Sequence, residues 1–317
     1  MERAARELLR AIRGERSQVG FARRLGYRGN PITDWERGER FPTAEETLRA
    51  ASLARIDVLA ATARFNPRVR LERQGKEFDV PGWLRELRGG ASASELARRS
   101  GYSRDAVGRW LRGDARPRLP DFLKLLDAIT GRTAEWVAEL VPIERVPSLS
   151  RAYRVALAAK RLAFELPWTE AILRVLETAS ASRHDGGSAE WVARVLDIDV
   201  TEAATNLEAL AAAGAVERTG ERYSVRGSSS VDTQGGKQAL GRLKQHWSRV
   251  AAARVEAPRA EDFLAYNVVS VSRADLELVR AKLQGIFREL RSLVATSKPE
   301  EVVGVINVQL VAFDPER

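Results

Sequence analysis

The sequence predicts a mainly α-helical protein of several small domains, and three observations carry that prediction. Helical periodicity and helix-boundary residues run through most of the chain, candidate strands are few and short, and one segment recurs at an offset of 75 residues. At 317 residues, the chain exceeds one ordinary core. Its 44% hydrophobic and 30% charged residues, with mean hydropathy -0.30, are those of a globular protein. No apolar run approaches the roughly 18 residues a spanning helix requires. Met1 to Arg16 mixes Arg with Glu and lacks the features of a signal peptide, so the expectation is a cytoplasmic protein with no membrane partner.

The absence of cysteine removes disulfides, thiolate catalysis and sulfur-ligated metals. The two histidines, His184 and His246, form no paired-ligand motif and are expected as ordinary surface residues. No nucleophile with its base and no paired carboxylates stand at a recognisable spacing, so neither an enzyme nor a cofactor is expected.

Charge is segregated. Residues 1–150 hold 29 Lys and Arg against 21 Asp and Glu, whereas residues 151–317 hold 23 against 22. A preference for Arg over Lys explains the type of base but not its placement, and a basic half favours a polyanionic partner such as nucleic acid.

The repeat lies within that basic half. Phe21-Ala-Arg-Arg-Leu-Gly-Tyr27 aligns with Leu96-Ala-Arg-Arg-Ser-Gly-Tyr102, and Trp35, Gly38, Pro42 and Leu48 align with Trp110, Gly113, Pro117 and Leu123. In each copy a serine (Ser17, Ser92) caps a helix, Glu95 completes a capping box, and a glycine (Gly26, Gly101) supplies the left-handed stop. A second helix follows, from Asn30-Pro31 or from the cap Ser103, making a helix-turn-helix. Ala22 and Ala97 allow close crossing, while Ile32 and Val107 with Trp35 and Trp110 pin the second helix to the core.

Ser17 to Tyr27, followed by Ile32-Thr-Asp-Trp-Glu-Arg-Gly-Glu-Arg-Phe-Pro42, resembles the phage-repressor (XRE)-like helix-turn-helix family. Copy two departs from copy one at Leu111, aligned with Glu36, and at Ala93, aligned with Gln18. The resemblance implies five helices per copy, the third lying in the major groove, with Leu48, Leu53 and Leu59, and Leu123, Leu126 and Trp136, packing helices four and five.

A recognition helix presents its N-terminal outward residues to bases and flanking basic groups to phosphates. Copy one then offers Gly29, Asn30, Thr33 and Asp34 to the groove and Gln18, Arg28, Arg37 and Arg40 to the backbone. Asn30 suits adenine. Copy two offers Arg104, Asp105, Gly108 and Arg109 to the groove, with Arg112, Arg116 and Arg118 near phosphates, and Arg104 and Arg109 suit guanine. Asp34 and Asp105 would repel phosphate unless a neighbouring Arg pairs each. Solvation accounts for the Arg23-Arg24 and Arg98-Arg99 pairs as well as phosphate does.

Beyond Pro142 to Pro147, a helix from Tyr153 breaks at Pro167 and resumes from Thr169 to Thr178. Ser188 and Thr201 cap two further helices, and strands at 215–218 and 222–225 flank Thr219-Gly220. This is the order of a winged helix. Its candidate reading helix carries Glu202, Thr205, Asn206 and Glu208 without a base, which favours a structural or dimerising role; only Arg218 and Arg222 argue for DNA. Gly227 to Gly236 reads as a flexible connection. A helix at 238–254, a strand at 264–271, a long helix at 273–294 and a strand at 302–313 suggest a parallel crossover. Two strands cannot stand alone, so they extend the wing sheet or pair with a second chain. Residues 150–315 are similar to a bacterial domain of unknown function often attached to a repressor-like helix-turn-helix.

The predicted chain has helix-turn-helix domains at 1–66 and 80–142, a linker at 67–79, a winged-helix-like domain at 148–227 and a small α/β domain at 236–317. The expected function is a DNA-binding transcriptional repressor reading adjacent half-sites of double-stranded DNA as a homodimer. The alternative is an antitoxin-like factor whose C-terminal half binds a partner protein, and a ligand for that half stays open.

Overall fold

The computed structural model describes residues 1–313 other than 68, 70, 75, 76, 184, 185, 226–236 and 298. His184 and the expected connection at Gly227 to Gly236 fall outside the described residues. The chain divides into two compact units, Met1–Ala158 and a second beginning at Ala159. Both copies of the repeat belong to the first.

Copy one folds as α1 (Glu2–Arg13), α2 (Gln18–Arg24), α3 (Pro31–Arg37), α4 (Ala44–Leu53) and α5 (Val58–Phe65). Copy two follows as α6 (Val80–Leu87), α7 (Ala93–Ser100), α8 (Arg104–Arg112), α9 (Leu119–Thr130) and α10 (Thr133–Leu140). The five helices implied by the resemblance are present twice. Residues 67–79, expected as a linker, instead carry an antiparallel hairpin of β1 (Arg73–Gln74) and β2 (Glu77–Phe78). Leu71 and Phe78 are buried there, so this segment joins the core. The first unit also continues past the expected boundary, burying Ile143, Val146 and Leu149 in the same core.

One core serves both copies because apolar side chains from each meet at its centre. Phe65 of α5 lies 6.3 Å from Trp83, which neighbours Phe122 at 6.4 Å and Trp136 at 6.3 Å. Leu48, Leu123, Leu126 and Trp136 are buried as expected, but Leu59 is exposed. Val58, Ala61, Thr62 and Phe65 form the inward face of α5 instead, because helical spacing turns position 59 away from it. The unpredicted capping box is Thr43 with Glu46, each accepting the other's backbone N–H at 3.2 and 2.8 Å. The expected box at Ser92 is half made. Ser92 accepts from the Glu95 N–H, but the Glu95 carboxylate turns to Arg98 and Arg99.

In the second unit α12 (Trp168–Glu177), α13 (Ala189–Leu196) and α14 (Val200–Ala212) precede an antiparallel hairpin, β3 (Val216–Thr219) with β4 (Arg222–Val225). The helix α11 (Pro147–Glu165) comes before them. Ser188 caps α13 as expected, but the cap of α14 is Asp199, which accepts from the N–H groups of Thr201 and Glu202. A carboxylate reaches both orphan donors, and Thr201 lies already inside the helix.

Then come α15 (Lys237–Glu256) and α16 (Arg273–Thr296), the latter capped by Ser272. The strands expected at 264–271 and 302–313 form no ladder, with each other or with the β3–β4 hairpin. Among the described residues neither segment has a strand partner. Asn307 and Gln309 donate to Ser248 of α15, while Ile306, Val308 and Leu310 are exposed. No helix among the described residues is long and apolar enough to cross a membrane.

His246 is not the surface residue expected. It packs edge-on to Trp168 at 5.3 Å and Trp247 at 4.9 Å, and its Nε2 is buried without a hydrogen bond. Burial lowers its pKa, with Arg249 adding to the effect and Glu202 opposing it. The unfolded side chain titrates near 6.5, so just below that pH the unfolded chain holds a proton that the folded chain rejects. Stability present above pH 6.5 is therefore lost as pH falls through the window beneath it. Urea midpoints should drop as pH falls below about 6.5, and His246→Gln should flatten that drop; an equal pH slope in wild type and variant would contradict this account.

Candidate nucleic-acid interface

Each helix-turn-helix is positioned by the same local chemistry. Ser17 accepts from the Gly20 N–H at 3.1 Å, Gly26 takes φ +86° to end the helix, and Pro31 opens α3. Ile32 and Trp35 then fix α3 inward, and Tyr27 stands edge-on to Trp35 at 5.7 Å. In copy two Ser103 caps α8 through the Ala106 N–H, Gly101 takes φ +70°, and Tyr102 meets Trp110 at 5.0 Å. Tyr102 also donates to Asp121 at 2.6 Å. Burial, and then the hydrogen bond to that carboxylate, pushes the phenol pKa upward and keeps this pin neutral.

The sites on these matching frames differ in polarity. In copy one Glu36 is buried and accepts from Arg13 Nε at 2.6 Å and from Gln18 Nε2 at 2.8 Å. Thr33 donates to Gln18 Oε1 at 3.0 Å, and Asn30 Nδ2 donates to Thr33 at 2.8 Å. A buried carboxylate has thus recruited a chain of donors running to the start of the recognition helix. In copy two the aligned positions are Leu111, Ala93 and Gly108, and Arg88, aligned with Arg13, has a buried Nε without a partner.

This network changes two expected roles. Gln18 is half-buried and ties Thr33 to Glu36 rather than standing at a phosphate. Asn30 spends its amide N–H on Thr33, and its Oδ1 is buried, so its adenine-reading edge is not presented. Arg118 is also reassigned, since its guanidinium donates to the Phe41 carbonyl of the other copy at 3.0 Å.

The remaining candidates form an exposed rim. Arg28, Gly29, Arg37 and Arg40 are exposed in copy one, as are Arg104, Asp105, Arg109, Arg112 and Arg116 in copy two. Thr33, Asp34 and Gly108 are half-buried. Among the described residues neither Asp34 nor Asp105 forms the ion pair expected of it, whereas Arg112 pairs with Asp114 at 2.7 Å. Arg98 and Arg99 both bind Glu95, and these bonds, that of Arg98 foremost, hold its carboxyl below its usual pKa.

In the second unit the hairpin arginines point to local acceptors. Arg218 donates to the Gly220 carbonyl and Arg222 to the Ala181 carbonyl. Asn206 of α14 is buried and donates to Glu202. No group of three metal-ligating side chains occurs among the described residues.

Two family models match the chain. A helix-turn-helix domain matches residues 82–140, which span α6 to α10, and a domain of unknown function (DUF4423) matches residues 154–312. No curated protein and no solved structure matches it. The matched helix-turn-helix belongs to copy two, and copy one repeats its five helices at the offset of 75.

Breaking the buried pair while leaving Arg13 behind should be costly. Glu36→Leu, which installs the residue of copy two, should destabilise the first unit by about 2–3 kcal/mol, less than for a fully enclosed pair because Arg13 keeps some access to water. Urea unfolding checks this, and an unchanged midpoint would show that the network contributes nothing net.

Proposed function

We propose that this chain, which belongs to the family of the domain of unknown function DUF4423, is a sequence-specific DNA-binding transcriptional regulator that represses by occupying its operator. The observation that carries this reading is the pair of exposed arginines on α8. Arg104 and Arg109 stand on the outer face of a helix whose inner face, Val107 and Leu111, is buried. Neither arginine has an ion-pair partner among the described residues. Guanidinium groups on the outer face of a recognition helix, Arg104 in its first turn and Arg109 in its last, fit guanine O6 and N7, while Arg28, Arg37, Arg40, Arg112 and Arg116 on the rim fit phosphates. With the basic charge concentrated in this unit, the reading is a cytoplasmic regulator whose two reading heads engage adjacent half-sites.

The second unit, in this reading, contributes a winged-helix-like platform and a dimer interface rather than a third reading head. The bonds of Arg218 and Arg222 to local carbonyls support that division. The partner that fits is a second copy of the same chain. On α16, Ile286 is 50%, Leu293 65% and Val294 62% exposed, and the unpaired segments add Tyr266 at 94% and Phe313 at 92%. Segment 302–313 lays its polar side chains on α15 and its apolar ones outward. Two such edges related by a two-fold supply each other with the ladder that each lacks.

In vitro selection from random duplexes should recover a long motif with two half-sites, and affinity should fall steeply with salt through counterion release. Arg109→Ala should cost about 1–3 kcal/mol and relax selection at one base pair. Arg40→Ala should weaken all sequences alike and reduce the log–log salt slope by about 1. Failure to enrich any motif overturns the reading. Light scattering should give twice the 35.1 kDa chain mass; a monodisperse single chain at micromolar concentration overturns the dimer, as does a stoichiometric complex with a different protein.

A further inference from the structure

The two copies meet at equivalent residues. The N–H of Ala44 donates to the Pro117 carbonyl at 3.0 Å, and the N–H of Leu119 donates to the Pro42 carbonyl at 2.9 Å. Position 42 shifted by the repeat offset is 117, and 44 so shifted is 119, so the two bonds are copies of one another. Between them Thr43 pairs antiparallel with Arg118, again equivalent positions. Farther out Arg64 binds Glu139 at 2.7 Å, another pair separated by the offset. Such self-pairing is the mark of an isologous contact about a two-fold axis. A head-to-tail stack of the copies would bring unlike positions together.

Resting on the reading of this unit as DNA-binding, we propose that Met1–Ala158 is a repressor dimer folded from one chain. Its two recognition helices read an operator whose half-sites are inverted in polarity yet different in sequence, one helical turn apart. The spacing follows from chain length. The axis passes between Thr43 and Arg118, six residues beyond the end of α3 at Arg37 and six beyond the end of α8 at Arg112. At about 3.5 Å per residue, and about 5 Å across the bridge, the helix ends lie at most roughly 47 Å apart. That admits major-groove faces separated by one turn, about 34 Å, whereas two turns, about 68 Å, would require both connecting segments to be fully extended and both helices to point straight away from the axis.

Inversion follows from the axis, since both helices are tethered to it by their C-terminal ends. The difference in sequence follows from the side chains. At the aligned outward positions copy one carries Gly29 and Asp34 where copy two carries Arg104 and Arg109. Guanine contacts therefore belong to one half-site alone, and a perfect palindrome satisfies only one head.

The native chain has no cysteine, so single cysteines at the aligned positions Glu39 and Asp114 can carry a DNA-cleaving iron chelate. Neither residue belongs to the reading face. The full-length conjugates are bound to the duplex recovered by selection, and the cuts are mapped. The expected result is two sets of cuts placed symmetrically about the centre of the footprint, inside both half-sites. Cuts from Glu39 and Asp114 displaced in the same direction by one half-site period overturn the inverted arrangement while leaving DNA recognition intact. Recovery of a perfect palindrome, with Arg109→Ala relaxing both halves equally, overturns the asymmetry. Absence of any retained duplex overturns the DNA-binding reading on which the inference rests.

Discussion

Two peptide hydrogen bonds, from Ala44 to Pro117 and from Leu119 to Pro42, hold the first unit in its arrangement. Ala44 and Leu119 are the first residues of α4 and α9, so their N–H groups have no acceptor within their own helices. Each copy satisfies the orphan donor of the other. Proline is suited to the acceptor position, because it offers a carbonyl and has no N–H of its own to leave unpaired. The closing proline of each repeat thus belongs to the seam between copies as well as to the turn after the recognition helix. Phe65, Trp83, Phe122 and Trp136 fill the space behind that seam.

Divergence between the copies is confined largely to one layer. The serine caps of α2 and α7, the glycine stops and the tyrosine–tryptophan pins are duplicated, whereas the Thr43 capping box and the polar chain from Arg13 through Glu36, Gln18 and Thr33 are absent from copy two. Where Leu111 occupies the position of Glu36, the aligned Arg88 is retained and donates instead to the Ala91 carbonyl, with its Nε left buried and unpartnered. What copy one gains is a recognition helix whose first turn is held by hydrogen bonds. Copy two starts its helix on the Ser103 cap, and Arg104 and Arg109 have no ion-pair partner among the described residues.

The helical scaffold was legible because its signals are local. Serine caps, left-handed glycines and the apolar spacing of Ile32 with Trp35 and of Val107 with Trp110 each act within a few residues. Thr43-Ala-Glu-Glu46 carried an equally local capping signal that was overlooked. The roles of Gln18 and Arg118 were not legible, because each is set by a partner distant in sequence, Glu36 and Phe41 of the other copy, and that of Asn30 depends on Thr33, which Gln18 in turn orients. The strands expected at 264–271 and 302–313 are not formed, because pairing requires a neighbour and none of the described residues supplies one. Leu59 sits one position past the inward Val58, and one residue of helical phase is enough to turn a side chain from core to solvent.

Because Phe65 of one copy and Trp83 of the other share a core, the union of the two helix-turn-helix copies contains no concentration term. Heads on separate chains must first meet, so dilution depletes the assembled form faster than it depletes the chains themselves. Here a scarce molecule keeps the same head pairing as an abundant one. Occupancy through this unit would scale with the first power of copy number, and any steeper response to gene dosage would have to originate in the other half of the chain.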